Sequence, residues 1–195
     1  MQTNSLLSEI GRYVESLFHI YNKPYLLYHN LDHRLQVVRH TEEIAGHYPL
    51  DANSLFSVVA AAWFHDTGHL KGEPEGHEER SVQIMKGYLS GKGISEEIIT
   101  EISLCILATK MPVVASTLLE QIICDADTYH LGTEDFLHLD KLVWQELELR
   151  LNKAVNSKVQ RSLLLLENHH FFTRYCQQLL SAGKDRNIAQ LKMSL

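Results

Sequence analysis

What this chain has little of narrows it before any motif is weighed. Only four prolines, Pro24, Pro49, Pro74 and Pro112, punctuate 195 residues, so long helical segments are permitted and each proline marks a break. Three cysteines, Cys105, Cys124 and Cys176, lie far apart without C-x-x-C spacing, which argues against a disulfide scaffold. They read as buried, reduced thiols and point to the cytoplasm. No block of Lys or Arg stands out and the net charge is -6, so a nucleic-acid backbone is not expected as a partner. No uncharged apolar run reaches the roughly 18 residues of a membrane span. The opening Met1-Gln2-Thr3-Asn4-Ser5 lacks a basic stretch leading into an apolar one, so a soluble, unprocessed chain with no membrane partner is expected. A Gly-rich phosphate loop is missing too, which removes the common nucleotide-binding folds. Without an internal repeat, a low-complexity tract or a long linker, residues 1–195 are expected to form one domain.

What is present is helical. Hydrophobic residues make up 45% of the chain, enough for one core, and they recur at three-and-four spacing rather than in alternation. The pattern predicts helices over 5–20, 31–46, 77–90, 95–109, 117–129, 134–153 and 157–169, and a last pair over 171–181 and 184–192. Another runs from a cap at Asp51 or Asn53 to His65 and is ended by Gly68. It is apolar all round, and hence central. The predicted class is all-α, a single-domain helical bundle. Leu142, Val143, Trp144, Leu147 and Leu151 suggest a long amphipathic helix that either closes the bundle or meets a second copy in a homodimer.

The chemistry concentrates between residues 29 and 127. His65-Asp66 ends the run from Leu55 to Phe64, which contains no charge. A bare carboxylate beside so much apolar surface would cost several kcal/mol or take up a proton, and a bound cation is the economical compensation. Seven of the twelve histidines, His29, His33, His40, His47, His65, His69 and His77, fall within 49 residues. Imidazole and carboxylate together suit a divalent metal with positions left open for water. His33 shares a helix face with His40 and His47 and sits in the polar cluster Tyr28-His29-Asn30-Leu31-Asp32-His33 at the helix entrance. His40 and His47 read as structural imidazoles. In Cys124-Asp125-Ala126-Asp127, both carboxylates flank an apolar helical stripe, and spacing does not choose between them.

The set His33, then His65-Asp66, then Asp127 resembles the HD-domain superfamily of metal-dependent phosphohydrolases, whose pattern is H…HD…D. The flanking residues are similar as well. Ala61-Ala62-Trp63-Phe64-His65-Asp66-Thr67-Gly68-His69 looks like the family's small-apolar helix ending in HD-x-G, and Ile123-Cys124-Asp125-Ala126-Asp127 looks like its I-x-D-A-D segment. Glu167-Asn168-His169-His170-Phe171-Phe172-Thr173 is similar to the late helix of a bacterial subgroup, so the resemblance spans about 25–180.

The resemblance selects Asp127 over Asp125, because the family's ligand follows the alanine. It implies one divalent ion (Mn, Ni, Co, Zn, Fe or Mg) held by His33, His65, Asp66 and Asp127, and hydrolysis of a phosphate ester on a small phosphorylated compound such as a nucleotide. Asp66, His69 and Lys110 are the catalytic candidates, with Asp66 orienting or deprotonating the water. His29, Arg34, His77 and Lys110 are the candidate substrate contacts. Where two-metal members supply a further His, this chain reads Ala108-Thr109-Lys110-Met111-Pro112, and a Lys there suits a phosphoryl oxygen better than a metal. The acidic pair of the stringent-response members and the glycine-tyrosine-proline motif of the cyclic-dinucleotide phosphodiesterases are missing. The rival readings are a non-catalytic module that binds metal or nucleotide to regulate a partner, and an HD-type di-iron oxygenase.

Overall fold

In a computed structural model of the chain, residues 2–21 and 23–195 are described, with side chains from residue 5 onward. The reading of the first residues as leaderless includes Met1 and lies outside them. The described residues form helices and connecting turns with no strand. They are α1 (Gln2–Tyr21), α2 (Leu31–Ala45), α3 (Ala52–Phe64), α4 (His77–Leu89), α5 (Glu96–Ala108), α6 (Leu118–Asp127), α7 (Phe136–Leu151), α8 (Lys158–Asn168) and α9 (Arg174–Lys192). No helix among them is long and apolar enough to cross a membrane.

The centre of the bundle is α3, buried from Phe56 to Ala62 on every face and again at Phe64. A helix without a polar side has to be covered all round, and α1, α2, α5 and α6 pack against it. The consecutive Ala60, Ala61 and Ala62 keep it slim there, so neighbouring backbones approach closely. Asp51 starts the helix by accepting from the backbone N–H groups of Asn53 (2.9 Å) and Ser54 (2.8 Å), which decides between the two expected caps. Cys105, Cys124 and Cys176 are all buried and unpaired, and burial pushes their thiols up.

Two departures from the predicted helices turn on close packing at glycine. Gly68 does not end α3. That helix stops at Phe64, and Gly68 lies in the 3-10 turn Thr67–Leu70. A Cβ on Gly68 would fall 2.0 Å from the His77 carbonyl oxygen, so the residue is needed where this turn meets the start of α4. The expected pair of C-terminal helices is one continuous helix, α9. Gly183, which lies between the two expected segments, is the contact point where α9 crosses the turn at Gly132, and a Cβ there would lie 1.8 Å from the Gly132 carbonyl oxygen.

Replacing Gly183 by Ala should therefore lower stability by about 1–3 kcal/mol, the usual cost of overpacking. A methyl group added at Gly87 of α4 would meet no atom within 4 Å, so Gly87→Ala should be neutral or stabilising by up to about 1 kcal/mol. Urea denaturation of the two variants checks the contrast.

Candidate metal centre

Three helix ends bring four polar side chains together. Asn30 caps α2 by accepting from the His33 backbone N–H at 3.0 Å, which fixes His33 in the first turn. His65 and Asp66 follow directly on α3. Asp127 is the last residue of α6, whose start is held by a reciprocal capping pair, Thr117 and Glu120.

Asp127 Oδ1 lies 3.2 Å from His33 Nε2 and 3.5 Å from His65 Nε2, and Asp66 Oδ2 lies 3.6 and 3.3 Å from the same two nitrogens. Despite these distances, neither buried Nε2 makes a hydrogen bond. With ligand bonds of about 2.0–2.2 Å, neighbouring donors around a tetrahedral or octahedral ion stand about 3.0–3.6 Å apart. The four imidazole-carboxylate distances have that spacing, and donor atoms of His33, His65 and Asp127 lie within 4.8 Å of one another, so these three with Asp66 beside them fit a divalent cation and could hold one.

Proton positions on His65 agree. Its Nδ1 is 2.9 Å from the Ala62 carbonyl oxygen, nearer than the Arg34 guanidinium at 3.2 Å. That oxygen can only accept, so Nδ1 carries the proton and Nε2 offers a lone pair. With no ion between them, the four groups form charge pairs instead. Burial pulls His65 down, but Asp66 and Asp127 outweigh it and raise the imidazole to about 9. Burial likewise opposes ionisation of Asp66 and Asp127, yet the adjacent imidazoles hold both below the usual carboxylate range.

The second oxygen of Asp66 faces a different group. Oδ1 is 3.3 Å from His77 Nε2 and 3.8 Å from His69 Nε2. Gly68 makes this possible, since its N–H donates to Ser81 Oγ at 2.8 Å and its bare Cα lets the α4 N-terminus come alongside. The rings of His29, His69 and His77 stack, with centroids 4.1 and 3.8 Å apart. Donor atoms of His29, Asp66 and His69 also come within 4.8 Å of one another. However, Arg150 Nη1 donates to His69 Nδ1 at 2.7 Å, and a guanidinium has no acceptor. The neutral ring therefore keeps its proton on Nε2 and turns an N–H, not a lone pair, toward Asp66.

Beside the centre lies a cleft of about 540 Å³, whose lining includes His29, Asp66, His77, Lys110 and Asp127, with an apolar wall of Met111, Leu131, Val143 and Leu165. Lys110 is at the mouth, paired with Glu79. Two expected contacts are corrected. Arg34 is 0% exposed, with its guanidinium over the Phe18 ring and beside His65 Nδ1, because the residue after His33 on α2 turns inward to the core. A substrate has no access to it. His69 is 3% exposed, sandwiched between two imidazoles, and does not line the cleft, so it is not positioned to protonate a leaving oxygen.

Asp125 is occupied elsewhere. It is fully buried and accepts from the N–H groups of Phe172 (2.8 Å) and Thr173 (2.7 Å) and from Thr173 Oγ1 (2.6 Å), tying α6 to the start of α9. His40 stacks on Tyr129 and His47 on Tyr175, both away from the centre. Three residues do not stand out from the sequence. His130 lines the cleft, its Nδ1 3.2 Å from Tyr28 Oη, and burial lowers it to about 4. Glu146 and Arg150 hold His29 and His69 from behind. A signal for these two exists: they continue the three-and-four stripe of Phe136, Leu139 and Val143, where charged side chains are out of place.

The chain is an all-α bundle in which imidazoles and carboxylates converge from three helix ends and could hold a metal ion. The HD domain family model matches residues 30–132, more than half of the chain, and the chain belongs to that family. HD domains bind divalent metals. The crystal structure of a "predicted HD superfamily hydrolase" from an uncultured Thermotogales bacterium has the same fold, with a TM-score of 0.64 and 19% identity over 95% of this chain and 89% of that one. A comparison with curated proteins returns no match.

Asp127→Asn should weaken Mn(II) or Ni(II) binding by more than the roughly 10–100-fold that loss of a supporting hydrogen bond costs, with the fold retained. Asp125→Asn should do the reverse, lowering stability by about 1–3 kcal/mol while leaving affinity unchanged. Calorimetric metal titration and thermal melting read the two separately. Because His65 must give up a proton to bind metal, affinity should rise with pH toward about 9, by up to about tenfold per unit. Titration at pH 6.5 and 8.5 measures this.

Proposed function

We propose that the protein is a metal-dependent phosphohydrolase that cleaves a phosphate ester of a small organic compound. The observation that carries this reading is the pair of buried, unpartnered imidazole nitrogens facing two carboxylates at the edge of a cleft. His33, His65, Asp66 and Asp127 would hold one divalent ion, which when bound polarises a phosphoryl oxygen and lowers the pKa of water. Only one ion is proposed, since His69 turns an N–H toward the second donor group.

The chain's own groups divide the remaining work. Asp66 has Oδ2 toward the ligand set and Oδ1 3.3 Å from His77 Nε2, so the carboxylate stands between the proposed ion and His77, where it would orient the attacking water and take up its proton. His77 Nδ1 is 2.8 Å from the Pro74 carbonyl oxygen and its Nε2 faces Asp66 Oδ1; burial opposes its charge, but the carboxylate outweighs burial and favours the imidazolium. That makes His77, which lines the cleft, the group best placed to return a proton to the leaving oxygen. Lys110 supplies the positive charge at the mouth by exchanging Glu79 for a phosphoryl oxygen. The wall of Met111, Leu131, Val143 and Leu165 suits the organic part of the ester. Residues 1–195 act as one unit in this reading, and the buried free thiols support a place in the cytoplasm.

Protein loaded with Mn, Ni or Co and offered a generic aryl phosphate and a panel of nucleoside phosphates should turn over at least one of them. Asp66→Ala should reduce kcat by about 1,000-fold or more, in keeping with the loss of both a ligand and a base. One metal per chain and no oxygen uptake are expected. Tight metal binding without turnover on any ester would favour a regulatory module, and two irons with oxygen consumption would overturn the hydrolase reading.

A further inference from the structure

We propose that Glu146 and Arg150 of α7 are positioning residues that decide, from behind the site, which edge of His29 and which edge of His69 carries a proton. The kinetic part of this inference rests on the hydrolase reading above, whereas the proton positions do not.

The geometry is specific. Glu146 is 2% exposed, and every contact it makes is one in which a carboxylate accepts. Oε2 takes the backbone N–H groups of Tyr28 (2.9 Å) and His29 (3.0 Å), while Oε1 takes His29 Nδ1–H at 2.7 Å. Arg150, one turn along the same helix, lies 3.3 Å from Glu146 Oε1. Its Nη1 donates to His69 Nδ1 at 2.7 Å and its Nη2 to the Gly72 carbonyl oxygen at 3.2 Å. An ionised carboxylate can only accept and a guanidinium can only donate. The pair thus imposes opposite tautomers on two rings stacked 4.1 Å apart: His29 carries its proton on Nδ1, and His69 carries its proton on Nε2.

That opposition matters at Asp66. His69 Nε2–H is 3.8 Å from Asp66 Oδ1, on the side away from His33 and His65. In the other tautomer the ring would turn a lone pair toward the carboxylate and repel it. His69 Nε2 makes no hydrogen bond, so at this distance an N–H acts on Oδ1 by attraction of its dipole, on the side opposite to the one Oδ2 turns to the ligand set. His29 itself lines the cleft. A stability role alone is a poor account of the pair, because buried ion pairs seldom outperform apolar residues of similar size. The stripe of Phe136, Leu139 and Val143 would accept such residues readily.

Imidazole 15N NMR on the full chain, with and without Mg(II), tests the proton positions directly. The wild type should show His69 protonated on Nε2. Arg150→Met should release that ring to a mixture of tautomers, and Arg150→Lys, which keeps one donor, should restore the wild-type signal. In turnover assays Arg150→Met should lower kcat by about 10–100-fold with KM changed less than about threefold, and the Lys variant should recover most of the loss. Should Arg150→Met not fold, Glu146→Gln serves: the amide can donate where the carboxylate only accepts, so His29 should move its proton from Nδ1 to Nε2. An unchanged ring signal in the variants overturns the inference, as does a loss of kcat that tracks melting temperature and is not rescued by Lys. Absence of wild-type turnover would sink the hydrolase reading alone and leave the NMR result standing.

Discussion

Four polar groups at the ends of three helices, three of them buried and Asp127 partly so, can be packed together only if something shares their charge. His33 and His65 bring Nε2 lone pairs, Asp66 and Asp127 bring anionic oxygens, and the imidazole nitrogens make no hydrogen bond. A bound cation satisfies all four at once. Without it, protons take its place, and the imidazolium-carboxylate pairs that result explain why His65 is raised and the two acids are depressed. A metal bound here would consequently couple to folding, since it would use the same contacts that the protons now serve.

The rest of the bundle can be understood as what makes that convergence possible. α3 has no polar face, so His65 and Asp66 leave its end already deep in the protein. Asn30 caps the end of α2 that carries His33, and the Thr117–Glu120 pair caps the far end of the helix that Asp127 closes. Asp125, two residues before Asp127, is spent on the start of α9, which locks the helix that presents the ligand. Behind Asp66, a bare Gly68 admits His77, and the Glu146–Arg150 pair arranges the imidazoles between. Close approach and buried charge are both costly for stability. Both are concentrated around one carboxylate, an arrangement that favours a functional over a purely structural role.

Much of this is legible in the sequence, and for identifiable reasons. An uninterrupted apolar segment ending in His65-Asp66 requires a central helix with something to compensate at its end, and that is where α3 lies. The four candidate ligands stand out by their order and context, and the fold brings them together. Arg34 and His69 mislead because a one-residue step on a helix, or a ring stacked on either side, decides access, and neither is visible without coordinates. The continuous α9 reads as two helices, and the use of Gly183 for a close crossing at Gly132 depends on a partner 51 positions away. Glu146 and Arg150 look like ordinary charges on an amphipathic helix, although their phase in the stripe already places them inward.

The most direct test of the central claim is anomalous diffraction from crystals of the full chain grown with Mn(II) or Ni(II). The account predicts one strong peak, within bonding distance of His33 Nε2, His65 Nε2, Asp66 Oδ2 and Asp127 Oδ1. A peak elsewhere, none at all, or a second equal peak at Asp66 Oδ1 between His29 and His69 would contradict it.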